Sequence, residues 1–92
     1  MLYAAKCYWP GVSRDDLERV ARRAADSKAA PEDATYRGAL LFSNDDLVLC
    51  LFEAPSRIAV KVASERAGIP CERVMDSVWL EPDVSILKGA RE

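Results

Sequence analysis

The chain has 92 residues, of which 50% are hydrophobic and 30% charged, with a formal net charge of -2. This length holds one domain and no second hydrophobic core. The small net charge excludes the basic footprint of a nucleic-acid-binding protein, and no apolar run reaches the roughly 20 residues of a membrane span. The amino-terminal segment lacks the basic start and long apolar core of a signal peptide, so we expect a cytoplasmic protein.

Histidine is absent, and cysteine occurs three times. Without histidine the chain lacks the usual general base, the commonest transition-metal ligand and any Ser-His or Cys-His catalytic pair. Cys7, Cys50 and Cys71 are widely spaced and form no CxxC motif, which predicts reduced packing residues rather than disulfides. We therefore predict no metal site and no cofactor, and the sequence identifies no catalytic residue.

The first predicted elements are a strand over 2–9 and a helix over 14–28. The strand is rich in aromatic residues and stops at Pro10-Gly11, a turn signal. Ser13 followed by Asp16 has the spacing of a capping box, in which each residue accepts a hydrogen bond from the other's backbone N–H.

The rest of the domain is predicted as a hairpin, a second helix and a last strand. Two strands over 36–42 and 47–54 are joined by a polar turn, and Ser56 begins a helix over 57–67 that Gly68 ends. A fourth strand follows over 73–80. Residues 1–80 then form the domain, and 81–92 form a carboxyl-terminal tail.

The order strand-helix-strand-strand-helix-strand predicts an α+β domain of the ferredoxin-like βαββαβ type. Right-handed crossovers place both helices on one face of a four-stranded antiparallel sheet. The strand order across that sheet would be fourth, first, third, second.

The third strand is apolar on both faces, which predicts cover on both sides of the sheet. Two helices cover one side, so the other would pack against a second copy, giving a dimeric α+β barrel. The predicted dimer interface consists of Val48, Cys50, Phe52 and Phe42. The alternative is that the twist of the sheet and the tail cover this face within one chain.

Three blocks of the chain carry a resemblance to a known family: Cys7-Tyr8-Trp9-Pro10-Gly11-Val12, Leu49-Cys50-Leu51-Phe52-Glu53-Ala54-Pro55-Ser56 and Ala67-Gly68-Ile69-Pro70. Over about residues 2 to 80 the chain resembles a small bacterial domain-of-unknown-function family of ferredoxin-like proteins, some of them described as nickel-binding. The resemblance implies a ferredoxin-like fold and a dimer. It implies no metal site here, because nickel binding in those relatives depends on histidine, and because Lys6 replaces the acid that often precedes the first block.

Four residues are candidates for ligand binding: Lys6, Tyr8, Glu53 and Trp79. Lys6 could bind an anion or act as a base, or simply extend its ammonium group to water at a strand end. Glu53 could orient a ligand or favour the start of the following helix. Tyr8 and Trp79 could stack on a flat aromatic ligand or serve as core or interface residues.

Arginine supplies two further candidates. Arg37 and Arg73 could each hold a carboxylate through two hydrogen bonds, or form surface ion pairs.

The sequence thus favours a small cytoplasmic protein that forms a sheet-to-sheet homodimer and holds a small organic ligand, with no nucleic-acid or membrane partner. The first alternative is a cofactor-free isomerase or oxygenase of the dimeric α+β barrel type, in which Lys6, Glu53 or Tyr8 transfers protons. The second is a nickel-binding protein, which the absence of histidine disfavours.

Overall fold

The structure is a computed structural model that describes residues 1–82, so the predicted tail lies outside the described residues apart from Glu81 and Pro82. Its strands and helices are β1 Leu2–Tyr8, α1 Arg14–Ser27, β2 Thr35–Phe42, β3 Leu47–Glu53, α2 Arg57–Ala67 and β4 Cys71–Ser77. All strand pairs are antiparallel, in the order β2-β3-β1-β4. The predicted α+β ferredoxin-like fold and strand order are confirmed.

Polar caps set the limits of both helices. The Ser13 hydroxyl oxygen accepts the Asp16 N–H at 3.3 Å, and the Asp16 carboxylate accepts the Ser13 N–H at 2.8 Å, completing the predicted capping box. The Ser56 hydroxyl accepts the Ala59 N–H at 3.2 Å and begins α2 in the same way. Gly68 ends α2 with a φ of +73°, a left-handed conformation that costs glycine little.

Both helices pack on one face of the sheet and enclose the core. Val20 of α1 and Val60 of α2 are almost fully buried, as are Val48, Cys50 and Phe52 on the facing side of β3. Because α1 and α2 both lie on this side, no helix within residues 1–82 covers the opposite side of the sheet. Within residues 1–82, no helix is both long and apolar enough to cross a membrane.

We call this second side the open face. Alternation along each strand assigns its residues, which are Leu2, Ala4, Lys6 and Tyr8 of β1, Gly38, Leu40 and Phe42 of β2, Leu47, Leu49, Leu51 and Glu53 of β3, and Arg73, Met75 and Ser77 of β4.

This geometry corrects the predicted interface. Val48, Cys50 and Phe52 each have 0% exposure, because they point toward the helices, so they cannot form an outer surface. The other row of β3, its three leucines, faces outward instead. In the sequence the two rows of β3 side chains are equally hydrophobic. Only the packing of the helices decides which row is buried. Phe42 does lie on the open face and is 40% exposed.

The fourth strand also differs from the prediction, since it covers Cys71–Ser77 instead of 73–80. Ser77 pairs with Leu2, the first residue of β1, so no neighbouring strand remains for the next three residues. Val78, Trp79 and Leu80 are consequently 76%, 69% and 82% exposed. The prediction extended the strand because these residues are hydrophobic. In the structure the strand ends earlier, because β1 offers no further backbone groups to pair with.

The capping box makes one testable contribution to stability. We expect Ser13→Ala to lower the free energy of unfolding by about 1 kcal/mol, the usual cost of losing a helix N-cap. Urea denaturation measures the change. Ser43→Ala is the matched control, since the Ser43 side chain makes no hydrogen bond within the described residues. Equal stability of the two variants would contradict the role of Ser13.

Two carboxylates should make the fold weaker in acid. The backbone N–H of Ser13 holds the pKa of Asp16 below its usual value, and the backbone N–H groups of Ala29 and Ala30 do the same for Asp33. A lowered folded pKa means that this stabilisation is complete above the unfolded pKa of about 3.9 and is lost as pH falls through the folded value. Urea midpoints measured between about pH 6 and about pH 2 should therefore decline less steeply in Asp16→Asn/Asp33→Asn than in the parent.

Candidate functional site

The open face has an apolar centre. The three leucines of β3 are half-buried in its middle, and Leu40 on the neighbouring strand is 51% exposed. Isolated soluble domains rarely expose large contiguous apolar patches, so this surface is a candidate interaction site. Trp79, in the exposed segment after β4, lies beside Leu2 and Leu51 of this face.

Lys6 and Tyr8 lie together at one end of the open face. They line a shallow depression with Asp45, Leu47 and Glu72, which we call the Lys6 depression. The Lys6 ammonium nitrogen is 4.0 Å from a Glu72 carboxylate oxygen, and both side chains are solvent-accessible. The structure thus places the Lys6 charge beside an acid that the sequence analysis did not single out.

Glu53 and Trp79 lie together at the other end. They line a second depression with Leu2, Arg37 and Leu51, which we call the Trp79 depression. The four candidate residues therefore fall into two groups at opposite ends of the sheet. In the pairing of β1 with β3, Lys6 lies opposite Leu49, whereas Glu53 lies opposite Leu2, four residues away along β1.

The alternative role predicted for Glu53, at the start of α2, is not observed. Ser56 caps that helix, and the Glu53 carboxylate forms an ion pair with the Met1 amino nitrogen, 3.9 Å away. Both groups of this ion pair are exposed, so the Glu53 carboxylate also faces solvent.

The two arginines differ in their partners. An Arg73 guanidinium nitrogen lies 3.3 Å from the Met75 sulfur. Arg37 makes no ion pair and no side-chain hydrogen bond within residues 1–82. Among the residues that the structure describes, neither arginine forms the surface ion pair that the sequence analysis gave as the alternative. The sequence feature that could have predicted the position of Arg37 is Gly38, because an isolated glycine inside a strand indicates a bulge.

The cysteines are adjacent in space although they are far apart in sequence. Cys7 is directly paired with Cys71 across β1 and β4, and Cys50 lies on the next strand on the same, helix-covered side. Hydrogen bonding with Cys50 and then burial raise the pKa of the Cys7 thiol, and burial raises that of Cys71. All three are free thiols, and Cys7 points into the core while its neighbour Lys6 points to the open face.

The fold and this surface define a small ferredoxin-like α+β protein with one apolar sheet face that no helix of the described chain covers. The family model described as "Nickel responsive protein SCO4226-like" matches residues 6–76, so the chain belongs to the SCO4226-like family. The resemblance inferred from the three sequence blocks is thereby confirmed.

The chain is similar in structure to SCO4226 from Streptomyces coelicolor A3(2), whose crystal structure superposes with a TM-score of 0.73 and 22% sequence identity. The match covers 89% of this chain and 100% of the other. At this identity the likeness establishes the fold alone. A search among curated proteins finds no match.

The residues present do not fit a nickel site. Histidine is missing from the whole chain, and among residues 1–82 no three or more cysteine, aspartate or glutamate side chains are grouped so as to hold a metal ion. The thiols, whose deprotonated form is the metal ligand, have raised pKa values at Cys7 and Cys71.

The burial of the thiols predicts slow chemical modification. In the folded protein we expect Cys7 and Cys50 to resist Ellman's reagent, and Cys71, which is half-buried, to react slowly, because the reagent requires an accessible thiolate. All three should react promptly in guanidinium chloride. Rapid labelling of Cys7 in the folded chain, located by peptide mass spectrometry with Cys71→Ser as the control, would contradict this arrangement.

Proposed function

We propose that the protein is a homodimer in which the open faces of two copies pack together and hold a small organic ligand between them. The observation that carries this proposal is the apolar face opposite the helices, with the exposed Trp79 beside it. Burying this surface would be favourable by about 25 cal/mol of free energy for each Å² of apolar area removed from water.

The size of the face supports a second copy as the occupant. Four strands about 4.8 Å apart, each of about seven residues, project roughly 19 by 23 Å, or about 440 Å². Side chains make the accessible area larger than its projection, and the exposed segment after β4 adds to it. A standard interface buries about 800 Å² on each partner, which is within reach of this surface.

The charges on the face are compatible with self-association. Each end carries both signs: Lys6 with Glu72 in one depression, Arg37 with Glu53 in the other. In a two-fold dimer the same patch occurs on both partners, so either end can meet an opposite charge. Of the β3 leucines, Leu47 and Leu51 each line one of the two depressions, and Leu49 lies between them.

A charge in the centre of the face should dissociate the dimer. We expect Leu49→Lys to weaken dimerisation about 100-fold or more, because an unpaired buried charge costs several kcal/mol and the residue opposite Leu49 on β1 is Lys6, a like charge that cannot pair with it. Sedimentation equilibrium over a concentration series measures this. Ile58→Lys is the matched control, since Ile58 is 73% exposed on α2, outside the open face. A wild-type chain that stays monomeric at high concentration would overturn the proposal.

Native mass spectrometry of the purified protein tests the ligand directly. We expect a dimer mass and, where the ligand survives purification, an added small-molecule mass that is lost together with the dimer in Leu49→Lys.

The enzyme alternative has less support within one chain. Lys6 and Glu53 line different depressions, so they do not form one acid–base pair on a single copy. An isomerase or oxygenase would need groups from both copies to act on one substrate.

A further inference from the structure

The Trp79 depression combines an apolar floor with two opposite charges. Leu2 and Leu51 form part of its lining, Trp79 is 69% exposed, and Arg37 and Glu53 complete it. Its volume of about 560 Å³ is in the range of small-molecule sites.

A β-bulge places Arg37 at this depression. Tyr36 pairs with Phe52 and Gly38 with Leu51, which are successive residues of β3, so Arg37 is an extra residue without a partner. Bulges of this kind redirect a side chain and are frequent beside binding sites. On the core side the Tyr36 ring packs edge-on against Phe52, with centroids 5.5 Å apart, and anchors the strand before the bulge.

Gly38 permits this backbone. Its φ is +135°, a conformation that other residues rarely adopt, while a Cβ added there would meet nothing within 4 Å. The backbone conformation, and not a lack of space, therefore favours glycine at position 38. Because this conformation belongs to the bulge, Gly38 also helps to set the position of Arg37.

The guanidinium of Arg37 has no competing partner among the described residues. A guanidinium presents parallel N–H donors that match a carboxylate, and charge-assisted pairs of this kind are the stronger hydrogen bonds. Trp79 provides an aromatic surface in the same depression, on which a flat ring can stack. The acidic Glu53 accepts hydrogen bonds and would repel a second anionic group, so it favours a donor on the ligand.

We propose that the Trp79 depression binds an aromatic carboxylic acid that also carries a hydroxyl or amino group, with the carboxylate on Arg37, the ring against Trp79 and the donor toward Glu53. This inference rests on the proposed function, since the second copy would cover the bound ring. It adds the chemical class of the ligand and the residue that selects it.

Isothermal titration calorimetry with three probes tests the assignment. Hydroxynaphthoate carries both groups, naphthoate lacks the donor, and naphthol lacks the carboxylate. We expect affinity to fall in that order, with hydroxynaphthoate binding at a Kd below about 1 mM. Equal affinity for naphthol and hydroxynaphthoate, or no heat with any probe at millimolar concentration, would overturn the proposal.

Matched variants assign the roles. Arg37→Gln should weaken hydroxynaphthoate binding about 10- to 100-fold, whereas Arg73→Gln, which removes the other arginine of the open face, should leave it unchanged. Glu53→Gln should reduce the preference for hydroxynaphthoate over naphthoate. Equal losses in the two arginine variants would overturn the assignment to Arg37.

The dimer is measured separately by sedimentation on the same samples. Binding that depends on Arg37 in a chain that stays monomeric would sustain the ligand class while the proposed dimer fails. A stable dimer that shows no preference for the carboxylate would leave the proposed dimer intact and overturn this inference alone.

Discussion

The structure depends on one constraint: two helices cover only one side of a four-stranded sheet. The helices bury the row Val48, Cys50 and Phe52 completely, as part of the single hydrophobic core, and burial of apolar surface is the dominant favourable term in folding. The leucine row of the same strand is left half-buried on the other side. A strand that is apolar on both faces therefore ties the stability of the domain to the surface it offers to a partner.

Irregular backbone then places charges on this surface. Arg37 is the extra residue of a bulge in β2, and Glu72 is unpaired where the register of β1 and β4 shifts. Each lines one of the two depressions at opposite ends of the open face. Regular alternation already places Lys6 and Glu53 on the open face, and the two bulges add Glu72 beside the first and Arg37 beside the second, so each depression contains both signs of charge.

Membership of the SCO4226-like family establishes the kind of fold, and the chemistry has to be argued from this chain's own residues. The chain has no histidine, the pKa values of Cys7 and Cys71 are raised, and among residues 1–82 no three acidic or thiol side chains are grouped so as to hold a metal ion. The proposed organic ligand depends instead on Arg37, Glu53 and Trp79, which are all exposed.

Local signals in the sequence were sufficient for the order of elements, the α2 boundaries, the capping box of Ser13 and the termination at Gly68. These depend on short-range hydrogen bonds and backbone preferences, which neighbouring residues determine. The four-strand antiparallel arrangement followed from that order and the handedness of crossovers.

Three features were decided only by the tertiary structure. The packing of the helices determines which apolar row of β3 is buried. β4 ends at Ser77 because its partner strand β1 begins at the residue opposite, and the pairing of these two strands brings Cys7 beside Cys71. Each depends on contacts between residues distant in the chain, and an alternating apolar pattern is the same whichever face is buried. The sequence by itself determined that the sheet has two apolar faces, whereas the packing of the helices determined which of them remains open.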